Sequence, residues 1–248
     1  MLEGELRYFT LYCVTFRLLT LFFSFLHFCE RLSSLLNDEL RNLPTFIINL
    51  RLPWGVFIMY YEIPGRFLPF IKGCYGDESV TKADLEAKMN EMNNSDRCCA
   101  RFLLGDDAHK RSTFKIIPQV VEGPWVVKAS VGGKPAIIGN KLPVDFVYQP
   151  EDKAADGSKQ ELYLEADLDI VSSAAARRIL SLVRSYTQEL TIDLGFAIQG
   201  NTTDELPEQM MTGSRIHGID PLHAPPLPTM KDLFFGVTND DNDVIGSE

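Results

Sequence analysis

SAAARRILSLVRSYTQELTIDLGFAIQ, residues 173–199, is the longest helix signal in the chain, and its reading decides the fold. Ser172 or Ser173 can accept a hydrogen bond from a free N–H in the first turn. At 100° per residue Ala176, Ile179, Leu180, Val183, Tyr186, Leu190, Leu194, Ala197 and Ile198 fall on one arc. Arg177, Ser181, Arg184, Ser185 and Gln188 lie opposite. Ile192 and Phe196 break that polar face, which predicts that the last turns are covered on more than one side. Gly200 stands where a C-terminal cap belongs. The stretch predicts one helix from Ser173 to Gln199, about 40 Å long at 1.5 Å per residue, enough to lie across a whole sheet.

Upstream the apolar runs are short and bounded by Pro and Gly, as strands are. TFIINL at 45–50 and WGVFIMYYE at 54–62 read as a hairpin. FKIIPQVV at 114–121 and WVVKASV at 125–131 read as strands joined by the turn Glu122-Gly123-Pro124. Leu142, Val144, Phe146 and Tyr148 then alternate with Pro143, Asp145 and Val147. Leu162, Leu164, Ala166, Leu168 and Ile170 alternate with Glu161, Tyr163, Glu165, Asp167 and Asp169. Period-two patterning means one buried face and one wet face, as in an antiparallel sheet. Residues 73–98 and 150–160 are polar surface excursions. Strands followed by one helix give an α+β class: a curved antiparallel β-sheet covered by one long C-terminal helix, a helix-grip-like arrangement. Three parts follow: a hydrophobic N-terminal segment (1–40), a folded domain (41–220) and a Pro-rich, acidic tail (221–248).

The bulk composition, 45% hydrophobic and 23% charged over 248 residues, is that of a globular chain. Lys plus Arg number 24 against 34 Asp plus Glu, a net charge of −10, which argues against a nucleic-acid partner. The five cysteines, Cys13, Cys29, Cys74, Cys98 and Cys99, form no CxxC pair and fit a reducing compartment. Residues 8–28, YFTLYCVTFRLLTLFFSFLHF, are long enough to cross a bilayer and carry one charge, Arg17. A cytoplasmic chain associated with a membrane through this segment is the expectation; a buried helix, or sequence outside the mature domain, is the alternative.

Three groups of side chains are candidate sites. Glu165, Asp167 and Asp169 form a carboxylate row that either binds a cation, divides into a general acid and a general base, or is a solvated outer face. In GDDAHKR, residues 105–111, Asp106, Asp107 and His109 either join His217 or His223 in a metal site or cap a short helical turn. The third group is apolar: Trp125, Phe146, Tyr148, Tyr163, Tyr186, Leu190 and Phe196 are either packed core or the walls of a ligand cavity between sheet and helix. There is no GxSxG, HExxH, P-loop or GxGxxG motif, and no residue is assigned a catalytic, metal-ligating or cofactor-binding role.

The blocks GDDAHKRSTFKIIPQVVEGPWVVKASVGGKPAIIGNKL, YLEADLDIVSSAAARRILSLV and LTIDLGFAIQGNTTDELPEQMMTGSRI, in that order, resemble the C-terminal domain of the plant Enhanced Disease Resistance 2 proteins. The resemblance covers Phe46 to about Asp220. It implies a non-enzymatic, lipid-interacting or regulatory domain of intracellular signalling, without a cofactor. The pleckstrin-homology and START domains that often precede it in the family are not in this sequence, and residues 1–40 do not resemble the family's domain start. The implied partner is a lipid or membrane surface. A protein-interaction scaffold is the alternative, with a partner held by the acidic tail, where KDLFFG at 231–236 sets Phe234 and Phe235 among polar residues. A metal-dependent hydrolase built on Asp106, Asp107 and His109 is the third reading.

Overall fold

The structure, a computed structural model, describes residues 10–18, 42–131, 133, 135–153 and 159–220. β2 (Thr45–Leu52) and β3 (Gly55–Glu62) pair antiparallel through a tight connection at Pro53 and Trp54, as their aromatic and β-branched content predicts. β1 (Thr10–Leu18) pairs antiparallel with the far edge of β3. The other edge of β2 takes β9 (Tyr163–Asp169) in parallel, and β6 (Val144–Gln149) closes the sheet antiparallel to β9. The strand order is β1-β3-β2-β9-β6. A second, antiparallel sheet contains β4 (Phe114–Glu122), β5 (Ala136–Ile137), β10 (Thr191–Ile198) and β11 (Met210–His217), in the order β11-β10-β4-β5. A two-stranded ribbon, β7 (Asp152–Lys153) and β8 (Lys159–Gln160), lies between β6 and β9 in sequence.

The helices among the described residues are short. They are α1 (Leu68–Cys74), α2 (Lys82–Glu91), α3 (Asn94–Leu104), α4 (Asp107–Thr113), α5 (Trp125–Val131), α6 (Ile138–Lys141) and α7 (Ala174–Arg184). Their starts follow local chemistry: Thr81, Asn93, Asp106 and Ser173 each accept a backbone N–H three residues on.

The inward faces of the two sheets meet over a core of aromatic rings. Phe114 of β4 sits at its centre, 5.7 Å from Phe196 and 5.4 Å from Phe102 in stacked contacts, with Phe46 edge-on at 6.0 Å. Phe102 arrives on α3 and Phe70 and Ile71 on α1, so these helices plug one end of the sandwich. Across the sheets the Tyr61 hydroxyl bonds Ser214 Oγ at 2.7 Å.

Five expectations are corrected. The α+β class holds, but among the described residues no long helix grips a single curved antiparallel sheet: the core strands form two sheets, the larger one mixed, and the helices are short and interspersed. The stretch from Ser173 to Gln199 divides into α7, a 3-10 turn at Thr187–Glu189 and β10. WVVKASV is helix rather than strand, because α5 packs Val127 into the sandwich edge and leaves Lys128 and Ser130 outside. The membrane-anchored cytoplasmic localisation fails on its anchor: Thr10–Leu18 is an edge strand, and among the described residues no helix is long and apolar enough to cross a membrane. Residues 73–98 are not wholly a surface excursion, since Cys98 is buried, and α3 continues with Cys99, Ala100, Phe102 and Leu103 into the core.

Candidate ligand cavity

The same strand faces that build the core run past its aromatic centre into an unfilled end. On β2, Phe46 and Ile48 belong to the packed core, and Leu50 and Leu52, on the same face, line a cavity. On β4, Phe114 is core and Ile116 and Pro118 are cavity wall; on β10, Phe196 and Ile198 are core and Ile192 and Leu194 are wall. Trp54, Phe57 and Ile216 complete the two sides. α7 forms the roof with Ala176, Ile179, Leu180 and Val183, joined by Val131 from the end of α5.

The cavity measures about 250 Å³. That exceeds the ~150 Å³ apolar void known to stay dry and bind benzene, and falls below the ~300–1,000 Å³ of drug-sized sites. Its lining is apolar apart from Thr187. Ile116, Ile179, Leu180 and Ile216 are partly exposed whereas Leu50 and Phe57 are buried, so the space opens to the surface along one side.

Of the seven apolar candidates, Leu190 lines this cavity. Phe146 and Phe196 are in the closed aromatic core, and Tyr186 packs beside Val183 and Leu190. Tyr148 stacks on Tyr75 at 4.2 Å near the α4 turn, and Tyr163 is buried in β9. Trp125 is 81% exposed. Sequence reasoning missed the walls from β2, β4 and β11; alternation identified inward faces, but nothing in a face separates a residue lining a void from one filling a core.

GDDAHKR resolves into a cap and an anchor. Asp106 accepts the N–H of His109 at 2.8 Å and starts α4. Lys110 is fully buried, donates to the Gly105 carbonyl and to Cys74 Sγ, and lies 5.3 Å above the Tyr75 ring. Arg111 bonds the Val144 carbonyl at 2.8 Å and Asp145 at 3.2 Å. His217 bonds Thr191 by its Nδ1 at 2.9 Å, at the edge of the second sheet. Among the described residues no three His, Cys, Asp or Glu side chains converge as a metal set. His223 and the tail from residue 221 lie outside the described residues.

The carboxylate row is not a wet face. Glu165 and Asp167 are 2% and 3% exposed, beside the buried Asn49, whose amide donates to Glu165 at 3.2 Å; Asp169 pairs with Arg51 at 3.8 Å. Along β2, β3 and β9 both faces of the larger sheet are buried. Burial pushes the Cys98 thiol up to about 12 and Cys99 higher still, which keeps both un-ionised and unreactive.

Comparison with known proteins bears on this same stretch. The sequence profile described as Protein ENHANCED DISEASE RESISTANCE 2, C-terminal matches residues 9–220. A curated relative from Arabidopsis thaliana, Protein ENHANCED DISEASE RESISTANCE 2-like, is 34% identical over 120 residues, 48% of this chain and 15% of the relative. This chain therefore corresponds to a small part of that relative's length. No solved structure matches. Because the profile runs from before β1 to beyond β11, it takes in both sheets and the cavity between them, and the chain belongs to the Enhanced Disease Resistance 2 C-terminal domain family.

Proposed function

We propose that the chain is a non-enzymatic regulatory domain that binds the hydrocarbon portion of a lipid in the cavity beneath α7. The observation that carries this reading is the cavity itself: about 250 Å³ walled by aliphatic and aromatic groups, with one hydroxyl, Thr187. Such walls select by desolvation. Each buried methylene contributes about 0.8 kcal/mol, whereas a polar head buried without a partner costs roughly 2–7 kcal/mol. A single acyl chain enters and its headgroup stays at the open side. Family membership, and the name its Arabidopsis relative carries, support the regulatory half of the reading.

Organic extraction of the purified chain followed by mass spectrometry tests it. The expected result is a co-purifying molecule with a long alkyl chain, depleted about tenfold or more in Leu180→Trp, whose indole fills the space under the roof. An extract free of alkyl chains, from protein that also fails to take up a fatty acid, would overturn the reading.

A further inference from the structure

The outer surface of the cavity roof differs in charge from the rest of the molecule. α5 and α7 pack against one another through Val127 and Val183, and neither contains an acidic residue. Their outward sides carry Lys128, Arg177, Arg178 and Arg184, all exposed. Where side chains are described, every arginine outside α7 is ion-paired: Arg51, Arg66, Arg97, Arg101, Arg111 and Arg215. On the roof, Arg177 donates to the carbonyls of Val171 and Ser172, while Lys128, Arg178 and Arg184 have no ion-pair partner among the described residues. The nearest acids in sequence are Glu122, which accepts a hydrogen bond from Thr191 at 2.8 Å, Asp169, which pairs with Arg51 at 3.8 Å, and Glu189, which follows α7.

Trp125 opens α5 at 81% exposure; with Leu206 it is one of two exposed large hydrophobic residues among those described. α5 is fixed through Val127, so the indole is not needed to hold it. Between the cations the surface is made of small groups, the exposed Ala129, Ser130, Ala174, Ala175, Ser181 and Ser185, which allow close approach to a flat partner.

We propose that this face docks onto an anionic lipid bilayer, with Trp125 at the headgroup level and Lys128, Arg178 and Arg184 against lipid phosphates. Indole rings favour that interface because one part is apolar and one part donates a hydrogen bond. Cations near an anionic leaflet are attracted individually. The chain's net charge of −10 would oppose such a surface, so attachment depends on a local, uncompensated face and fixes the orientation. Docking does not require the cavity to be occupied; it places the roof, with Ile179 and Leu180 on its inner side, toward the source of acyl chains.

Flotation with phosphatidylcholine vesicles, with and without about a third phosphatidylserine, tests the face at physiological salt. The wild-type chain should float with the anionic vesicles and not with pure phosphatidylcholine. Replacing Lys128, Arg178 and Arg184 by Gln should weaken partition by roughly fivefold per cation, about a hundredfold together. These side chains are exposed, so the variants should melt with the wild type. Trp54 and Trp125 are the only tryptophans, one in the cavity wall and one on the face, so each site has its own reporter. In Trp54→Phe, emission from Trp125 should shift to the blue on anionic vesicles; in Trp125→Phe, emission from Trp54 reports cavity filling by a soluble fatty acid. Absence of flotation, flotation unchanged by the Gln variants, or capture of RNA or an acidic protein by this face without vesicle binding would each overturn the docking proposal. A silent Trp54 alone would count against the cavity reading and leave the face standing.

Discussion

Arg101 of α3 holds the segment before β11 through Asp204 and Glu205, each at 2.8 Å. Hydrogen bonds from Thr202 and then Arg101 hold the Asp204 carboxyl down at about 2 against its ordinary 3.8. Burial pushes Glu205 up, but Arg101 and the N–H groups of Asn201 and Thr202 outweigh it, and the net shift is downward. A depressed carboxylate stabilises the fold above its unfolded value, and that stabilisation is lost as pH falls through the folded one. Melting temperature should therefore drop between pH 4 and pH 2 more steeply in the wild type than in Arg101→Met; parallel curves would contradict the assignment. At this scale the sequence was legible where chemistry is local. Asp106 as a cap follows from its own side chain and the next turn. Glu165 and Asp167 were misread because alternation reports that the two faces of a strand differ, not that either meets water; Asn49, which donates to Glu165, lies 116 positions away.

α7 and β10 meet end to end in sequence, and the periodicities of a helix and a strand overlap where they join. α7 alone is strongly amphipathic, capped by Ser173 and ending at Arg184. β10 lies between β4 and β11, so its backbone bonds on both sides; Ile192, Leu194, Phe196 and Ile198 do alternate with Asp193, Gly195 and Ala197, but the run abuts α7, and Leu190, Leu194, Ala197 and Ile198 also fall on the helical arc of α7. The contrary signals were present: Ile192 and Phe196 fell on the polar arc, and Gly195 is a poor helix residue at mid-span. Gly195 instead faces Met210 across the strand pair, where a Cβ would meet Met210 Cε at 2.2 Å. Hydrogen exchange separates the two elements. Amides of β10 should exchange only through global unfolding, while those of α7, a roof with one buried side chain, Val183, should open earlier. Equal protection across residues 174–198 would indicate a single cooperative element and contradict the division.

In the whole molecule the decisive feature is a sandwich filled at one end and open at the other. Phe46, Phe102, Phe114 and Phe196 close one end with aromatic volume, and α1 and α3 seal it. Toward the other end the inward positions are mostly Leu, Ile, Val and Pro, with Trp54 and Phe57 as the aromatic groups, the sheets remain apart, and α7 bridges them. The sequence predicted an apolar interior between one curved sheet and a long C-terminal helix; the apolar interior lies instead between two sheets, and only the short α7 roofs its open end. It could not locate the void, because a cavity is a property of how far two sheets stand apart, which no single strand encodes. The parallel pairing of β2 with β9, more than a hundred residues away, was likewise beyond local patterning. Methyl-resolved NMR of the delipidated chain during titration with a medium-chain fatty acid tests the account most directly. The account predicts saturable shifts concentrated on Leu50, Ile116, Ile179, Leu180, Val183 and Ile192, with Ile48 and Ile198 of the closed core unmoved. Shifts scattered over the surface, or none at concentrations where the fatty acid remains monomeric, would contradict it.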